Sequence, residues 1–135
     1  MSIGKINSAL VQAFGGVGFD IPVSYELRKF DPPARGPWVA IKNFPADKYP
    51  VTLGAQGEDN VTGFFQVTIY VPENDGIKRI TEYVDSVIDH FKIGRRFHYQ
   101  GQEVRVRRVE PSPFHKVQER HVSTVSIYWD SRTQR

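Results

Sequence analysis

Four histidines, His90, His98, His115 and His121, are the first residues to test for chemistry, because an imidazole can move protons or hold a metal near neutral pH. No two of them stand at the i, i+4 spacing of a helical zinc site, and the chain has no cysteine to complete a ligand set. His90 follows Asp89 at the end of a predicted helix, where the negative end of the helix dipole favours an imidazolium, so it reads as a helix-end residue. His98 and His121 could be neighbours across a sheet, but no third ligand is indicated. Asp85 and Asp89 lie four apart on one helix face, a spacing that suits paired carboxylates and equally suits a solvated face beside Lys92. None of the serines sits in a G-x-S-x-G elbow. Gly15-Gly16-Val17-Gly18 follows a helix and precedes a strand, the reverse of the order in a phosphate-binding loop. These residues name no catalytic, metal or cofactor site, and the chain reads as a non-enzyme without a cofactor.

Charge is more informative. The formal net charge is +3, yet residues 1–91 carry 8 basic and 11 acidic side chains while residues 92–135 carry 10 and 4. A basic last third suits a polyanion or an acidic protein surface, and equally a solvated strand face. Its densest part is Arg95, Arg96, Arg105, Arg107 and Arg108, with Phe97 and Tyr99 close by. Outward arginines beside aromatic residues could grip a phosphate backbone and stack bases. No sequence-specific RNA-recognition signature accompanies them.

The elements that must hold these residues centre on Gly63 to Gly94. Phe65, Val67, Ile69 and Val71 alternate with Gln66, Thr68 and Tyr70, a strand buried on one face that stops at Pro72. Glu73, Asn74, Asp75 and Gly76 supply turn chemistry and an N-cap. Ile77, Ile80, Val84, Val87, Ile88 and Phe91 then form one helical stripe, and Gly94 lets the chain turn. Before this unit, Ser2 can cap a helix with Ile3, Ile6, Leu10 and Phe14 on one side, and Asp20 to Leu27 predicts a strand. Phe30 to Pro37 is a turn-rich connection, and Trp38 to Ile41 a short strand. After it, Arg96 to Tyr99 and Glu103 to Val109 predict a hairpin with Val104 and Val106 on one side and Arg105 and Arg107 on the other. Glu110 to Glu119 reads as a loop with Phe114 as its anchor, and Arg120 to Trp129 as the closing strand. Asp130 to Arg135 reads as a frayed, flexible tail.

Asn43 to Thr62 shows no clear regular element, and loops this long usually carry function or are partly disordered. The alternative is a protruding hairpin arm in which Tyr49 to Leu53 pairs with Val61 to Phe65. With 135 residues, 39% hydrophobic and 24% charged, the chain is one soluble globular domain spanning 1–135, without an apolar run near the ~20 residues of a membrane span. The fold class is α+β: a mostly antiparallel sheet of four to six strands with two helices packed on one face.

The run Tyr25-Glu26 through Phe30-Asp31-Pro32, then Gly36-Pro37-Trp38-Val39, Val51-Thr52-Leu53-Gly54, and Gly63-Phe64-Phe65-Gln66-Val67 with Val71-Pro72 resembles the tail-terminator-like (tail-completion) proteins of long-tailed bacteriophages. Asp89-His90-Phe91 leading to Gly94, the Gly101 hairpin and the closing Val125-Ser126-Ile127-Tyr128-Trp129 extend the resemblance from about Ile3 to Trp129. It implies a structural virion protein that forms a ring, typically a hexamer, on the head-proximal end of the tail tube. Such a ring stops tube polymerisation and presents a surface to the head-completion or neck proteins. The partners implied are other copies of itself, the tail tube protein, a neck protein, and DNA passing through the bore without sequence-specific binding; no membrane is involved. The expected oligomer or tube interface is Tyr49, Val51, Thr52, Leu53 and Gly54 of the long segment with Arg105 and Arg107. Other head-tail connectors, tail or tube subunits, and a small single-stranded nucleic-acid-binding module remain as alternatives.

Overall fold

The computed structural model describes residues 2–134, with nothing of the Ser2 side chain, so the expected Ser2 cap lies outside the described residues. The order is α1 (Ser2–Gly15), β1 (Val23–Ser24), β2 (Trp38–Pro50), β3 (Glu58–Pro72), a 3-10 turn (Glu73–Asp75), α2 (Gly76–His90), β4 (Arg96–Tyr99), β5 (Gln102–Pro111), β6 (His115–Val117) and β7 (Arg120–Gln134). The strands run β1-β2-β3-β7-β5-β4 across one sheet, with β6 also on β7. All pairs are antiparallel except β1 with β2. This is the expected α+β domain. Its sheet exceeds the expected four to six strands by one among the described residues, because β1 and β6 are two and three residues long and carry no periodicity.

Alternation decides the layers. Odd-numbered residues of β3 and β7, including Phe65, Val67, Ile69, Val71, Val125, Ile127 and Trp129, face inward. Ile6, Leu10 and Phe14 of α1 and Ile80, Val84 and Val87 of α2 join them in a single core with Val104 and Val106. Both helices therefore cover one face. The opposite face, with Phe64, Gln66, Thr68, Tyr70, Thr124, Ser126 and Tyr128, carries no helix and is half-buried by its own side chains. His90 joins the two helices, its Nε2 donating to the Ala13 carbonyl at 2.7 Å. A Cβ on Gly16 would lie 3.0 Å from that imidazole, so the glycine leaves room for the ring.

Several local expectations change. Only Val23 and Ser24 of Asp20–Leu27 form a strand; Pro22 offers no amide hydrogen, and a turn over Tyr25 to Arg28 places Leu27 at φ +59°. The Trp38 strand runs on to Pro50, and the third strand begins at Glu58, so most of the presumed long loop is a paired hairpin. Asp75 makes no side-chain cap; its carboxylate accepts from Arg79 instead. Ile77 is 64% exposed and lies off the buried stripe. Phe114 is exposed and does not anchor its loop, which contains β6. Asp130 to Gln134, expected to fray, pair with Glu58 to Thr62 throughout.

The sheet has one long open edge. β1 covers β2 only at Val39 and Ala40, the Asn43 amide donates to the Glu26 carboxylate at 3.1 Å, and beyond this Pro45 to Pro50 is exposed.

Candidate functional site

The long segment is a hairpin arm. A bulge between Pro45 and Asp47 shifts the β2 and β3 register, and beyond it Asp47, Lys48, Tyr49 and Pro50 pair with Thr62, Val61, Asn60 and Asp59. Strand–strand pairing is thus the hairpin alternative, five residues out of the expected register. The bulge sits where β2 passes close to Gly63. A Cβ there would meet the Phe44 carbonyl at 2.5 Å and the Trp129 ring at 2.7 Å, so only glycine fits without displacement. The Trp129 ring is fixed in turn by its Nε1 donating to Asn43 Oδ1 at 3.0 Å.

The arm's end is ordered by its own backbone. Val51 and Thr52 amides donate to the Glu58 carbonyl, the Glu58 amide donates to Thr52 Oγ1 at 2.6 Å, and Gly57 donates to Gly54, which adopts φ +93°. The result is a shaped loop that presents Leu53 to solvent at 97% exposure, with Val51 and Tyr49 partly exposed beside it. The Tyr49 hydroxyl accepts from Asn60 Nδ2 at 2.8 Å, which fixes the ring on the uncovered face.

The expected arginines lie on that same face. Arg105 is directly opposite Asp130, and Arg105 Nε and Nη2 donate to its carboxylate at 3.2 and 3.0 Å. A bulge between Val106 and Arg108 leaves Arg107 without a cross-strand partner and lets its Nη1 reach the same carboxylate at 3.3 Å. Asp130 raises the Arg105 guanidinium above its ordinary value, first through the side-chain hydrogen bond and then through charge attraction. Arg96 pairs with Glu103 at 2.9 Å and Arg108 with Glu110 at 3.2 Å. Arg96, Arg105, Arg107 and Arg108 thus each have an acid of their own chain.

Tyr49, Val51, Arg105, Arg107, Asp130 and Arg132 line one groove of about 630 Å³. The structure therefore brings Tyr49 and Val51 to one surface with Arg105 and Arg107, while Thr52, Leu53 and Gly54 are not among the residues that line it. Asp130, whose carboxylate joins Arg105 and Arg107, is the residue of this groove that sequence reasoning missed. Continued alternation through Ser131 and Thr133, both buried, was the signal that β7 runs past Trp129.

Beside the groove, Phe44, Phe64, Tyr128 and Arg108 stand in register across β2, β3, β7 and β5. Phe44 stacks on Phe64 at 4.7 Å, Phe64 meets Tyr128 at 5.7 Å, Arg108 lies 4.1 Å over Tyr128, and Lys42 lies 4.9 Å over Phe44. Each ring in this row faces a neighbouring ring or a cation. His98 and His121 are not neighbours, since β5 separates their strands. Asp85 and Asp89 are exposed on α2, and no group of three metal-ligating side chains converges among the described residues.

A family model described as "Phage tail terminator protein" matches residues 5–129. A solved structure superposes with a TM-score of 0.78 at 22% identity, over 97% of this chain and 96% of that one, a likeness of fold. No curated protein matches the sequence.

Proposed function

Because this chain belongs to the phage tail terminator family, we propose that it is the subunit of a homo-oligomeric ring, a hexamer, seated on the head-proximal end of the tail tube. The ring ends tube polymerisation and gives the neck proteins of the head their attachment surface. Family membership over residues 5–129 is the observation that carries this reading. The role is structural, placed in the virion tail, with assembly in the host cytoplasm before head joining.

Three features of the subunit support it. A helix-covered face and an uncovered sheet face give the molecule two chemically different sides, so one can match the tube while the other does not and stacking ends after one layer. The arm provides reach for contact with a neighbouring copy or the tube. Arg96, Arg105, Arg107 and Arg108 pair with Glu103, Glu110 and Asp130, three acids for four arginines, which weakens the attraction of that surface for phosphate and so for DNA that must leave through the ring.

The test is tail assembly with and without the protein. Tubes of defined length closed by a single ring are expected in its presence, and overlong, headless tubes in its absence. Charge reversal of Arg105 and Arg107 is expected to impair ring or tube association. A chain that polymerises alone into long cylinders would be a tube subunit, and tails of normal length and head joining after deletion would refute the proposal.

A further inference from the structure

The groove on the uncovered face is basic. Arg96, Arg105, Arg107 and Arg132 line it with two acids, Glu103 and Asp130; Arg132 also stands 3.8 Å from Glu58, which is not part of the lining. Asp130 lies at the bottom, its side chain 10% exposed, and accepts two N–H groups from Arg105 and one from Arg107. A guanidinium carries five N–H groups, so most of those on Arg105 and Arg107 remain for an anion arriving from solvent, on side chains about half exposed. Because the buried carboxylate already orders both arginines, little side-chain freedom is left to lose on binding.

On the far side of the sheet, α2 turns a row of acids to solvent. Glu82, Asp85 and Asp89 are exposed, three and four residues apart, on the side of the helix away from Ile80, Val84 and Val87. None of the three carboxylates is in an ion pair among the described residues, and neither are Lys78 and Lys92, which stand before and after the row. The row is about 10 Å long along the helix axis. From Arg96 on β4 across Arg105 on β5 to Arg132 on β7 is two strand spacings, again about 10 Å. Since α2 covers one face of the sheet and the groove opens on the other, no chain can join its own row to its own groove. A nucleic-acid strand fits the groove less well, because it brings a charge at every phosphate against Glu103 and sets its backbone on Tyr49 and Val51.

We propose that the acidic row of α2 in one copy docks on the arginine groove of the next, its carboxylates meeting Arg96, Arg105 and Arg107. The proposal rests on the reading of this chain as a self-assembling subunit. Two unlike surfaces meet in such a contact, so it runs head to tail and can close a ring. It involves α2 and the β4–β5–β7 corner of the sheet, and leaves α1 and the Phe44–Phe64–Tyr128 row outside.

Glu82→Gln, Asp85→Asn and Asp89→Asn together alter only exposed side chains and leave Asp130 and its arginines in place. The triple variant should self-associate about tenfold more weakly, and association of the parent should weaken as salt is raised. Asp31→Asn, an exposed acid before β2, should have little effect. The chain has no cysteine, so Asp85→Cys and Arg107→Cys in one chain should give a ladder of covalent oligomers with a short thiol-to-thiol cross-linker. An equimolar mixture of the two single variants should stop at a mixed dimer. If light scattering shows oligomers in which the double variant cross-links no better than the singles, this contact is wrong and the ring reading stands. If single-stranded DNA shields Arg107→Cys from labelling and self-association is unaffected by the triple variant, the groove belongs to nucleic acid and the contact is again wrong. If the parent forms no oligomer in solution or on tube ends, the ring reading falls, and this contact with it.

Discussion

Gly63→Ala adds one methyl group where the structure has no space for it. The new carbon would sit 2.5 Å from the Phe44 carbonyl, 2.7 Å from the Trp129 ring and 2.9 Å from the Pro45 Cα. Two of these are backbone atoms of a paired strand, and the third belongs to a ring tied to Asn43, so no flexible side chain can yield. Overpacking of this kind costs about 1–3 kcal/mol, and immovable neighbours place it at the upper end. The loss of glycine's freedom in the unfolded chain returns about 0.4–1 kcal/mol, leaving about 2–2.6 kcal/mol of destabilisation. At about 2.1 cal/mol/K per residue, 135 residues give an unfolding entropy of about 0.28 kcal/mol/K, so Tm should fall by about 7–9 °C. Thermal unfolding followed by circular dichroism reads this directly. Gly4→Ala is the control: nothing lies within 4 Å of a Cβ on that residue of α1, and the same change should stabilise by up to about 1 kcal/mol. A Gly63→Ala Tm at or above that of the parent would refute the close approach of β2 to Trp129.

Asp130→Ala removes the carboxylate shared by Arg105 and Arg107; because both guanidinium groups are about half exposed and can rehydrate, the expected loss is only about 1–2 kcal/mol in denaturant unfolding. Asn43→Leu leaves the buried Trp129 N–H without an acceptor and also changes the side chain's shape, for an expected cost of about 1–3 kcal/mol in the same measurement. Arg120→Ala frees the Pro33 and Gly36 carbonyls that its guanidinium binds, and limited proteolysis should then cut within residues 30–37 sooner while the Tm changes little. Lys116, through a 2.8 Å hydrogen bond and then its charge, holds the Glu73 carboxyl below its ordinary value of 4.5. The pair's contribution is therefore present above that value and disappears as the pH falls through the lower folded one; NMR titration should show Glu73 moving up in Lys116→Ala.

The sequence is most transparent where one face is buried. Phe65 to Val71 and Val125 to Trp129 alternate because helices cover their odd positions, and Arg105 and Arg107 read as outward because Val104 and Val106 fill the core. The arm is opaque for the opposite reason. Pro45 to Pro50 is exposed at every position, so no alternation marks it as a strand, and its order comes from pairing with Asp59 to Gly63. The Arg107 bulge and the placement of β7 between β3 and β5 depend on long-range pairing and have no local signal. Asp130 escaped notice because polar residues after Trp129 resemble a tail, although small side chains there fit a buried strand end.

The unguarded stretch of β2 poses a hazard. A bare strand border invites further chains to add on and form insoluble fibrils. Here Pro45 and Pro50 have no amide hydrogen to offer, Asp47 and Lys48 put charge on the border, and Glu26 already occupies the Asn43 amide. The same border that gives the arm its reach is thereby made a poor template for runaway aggregation.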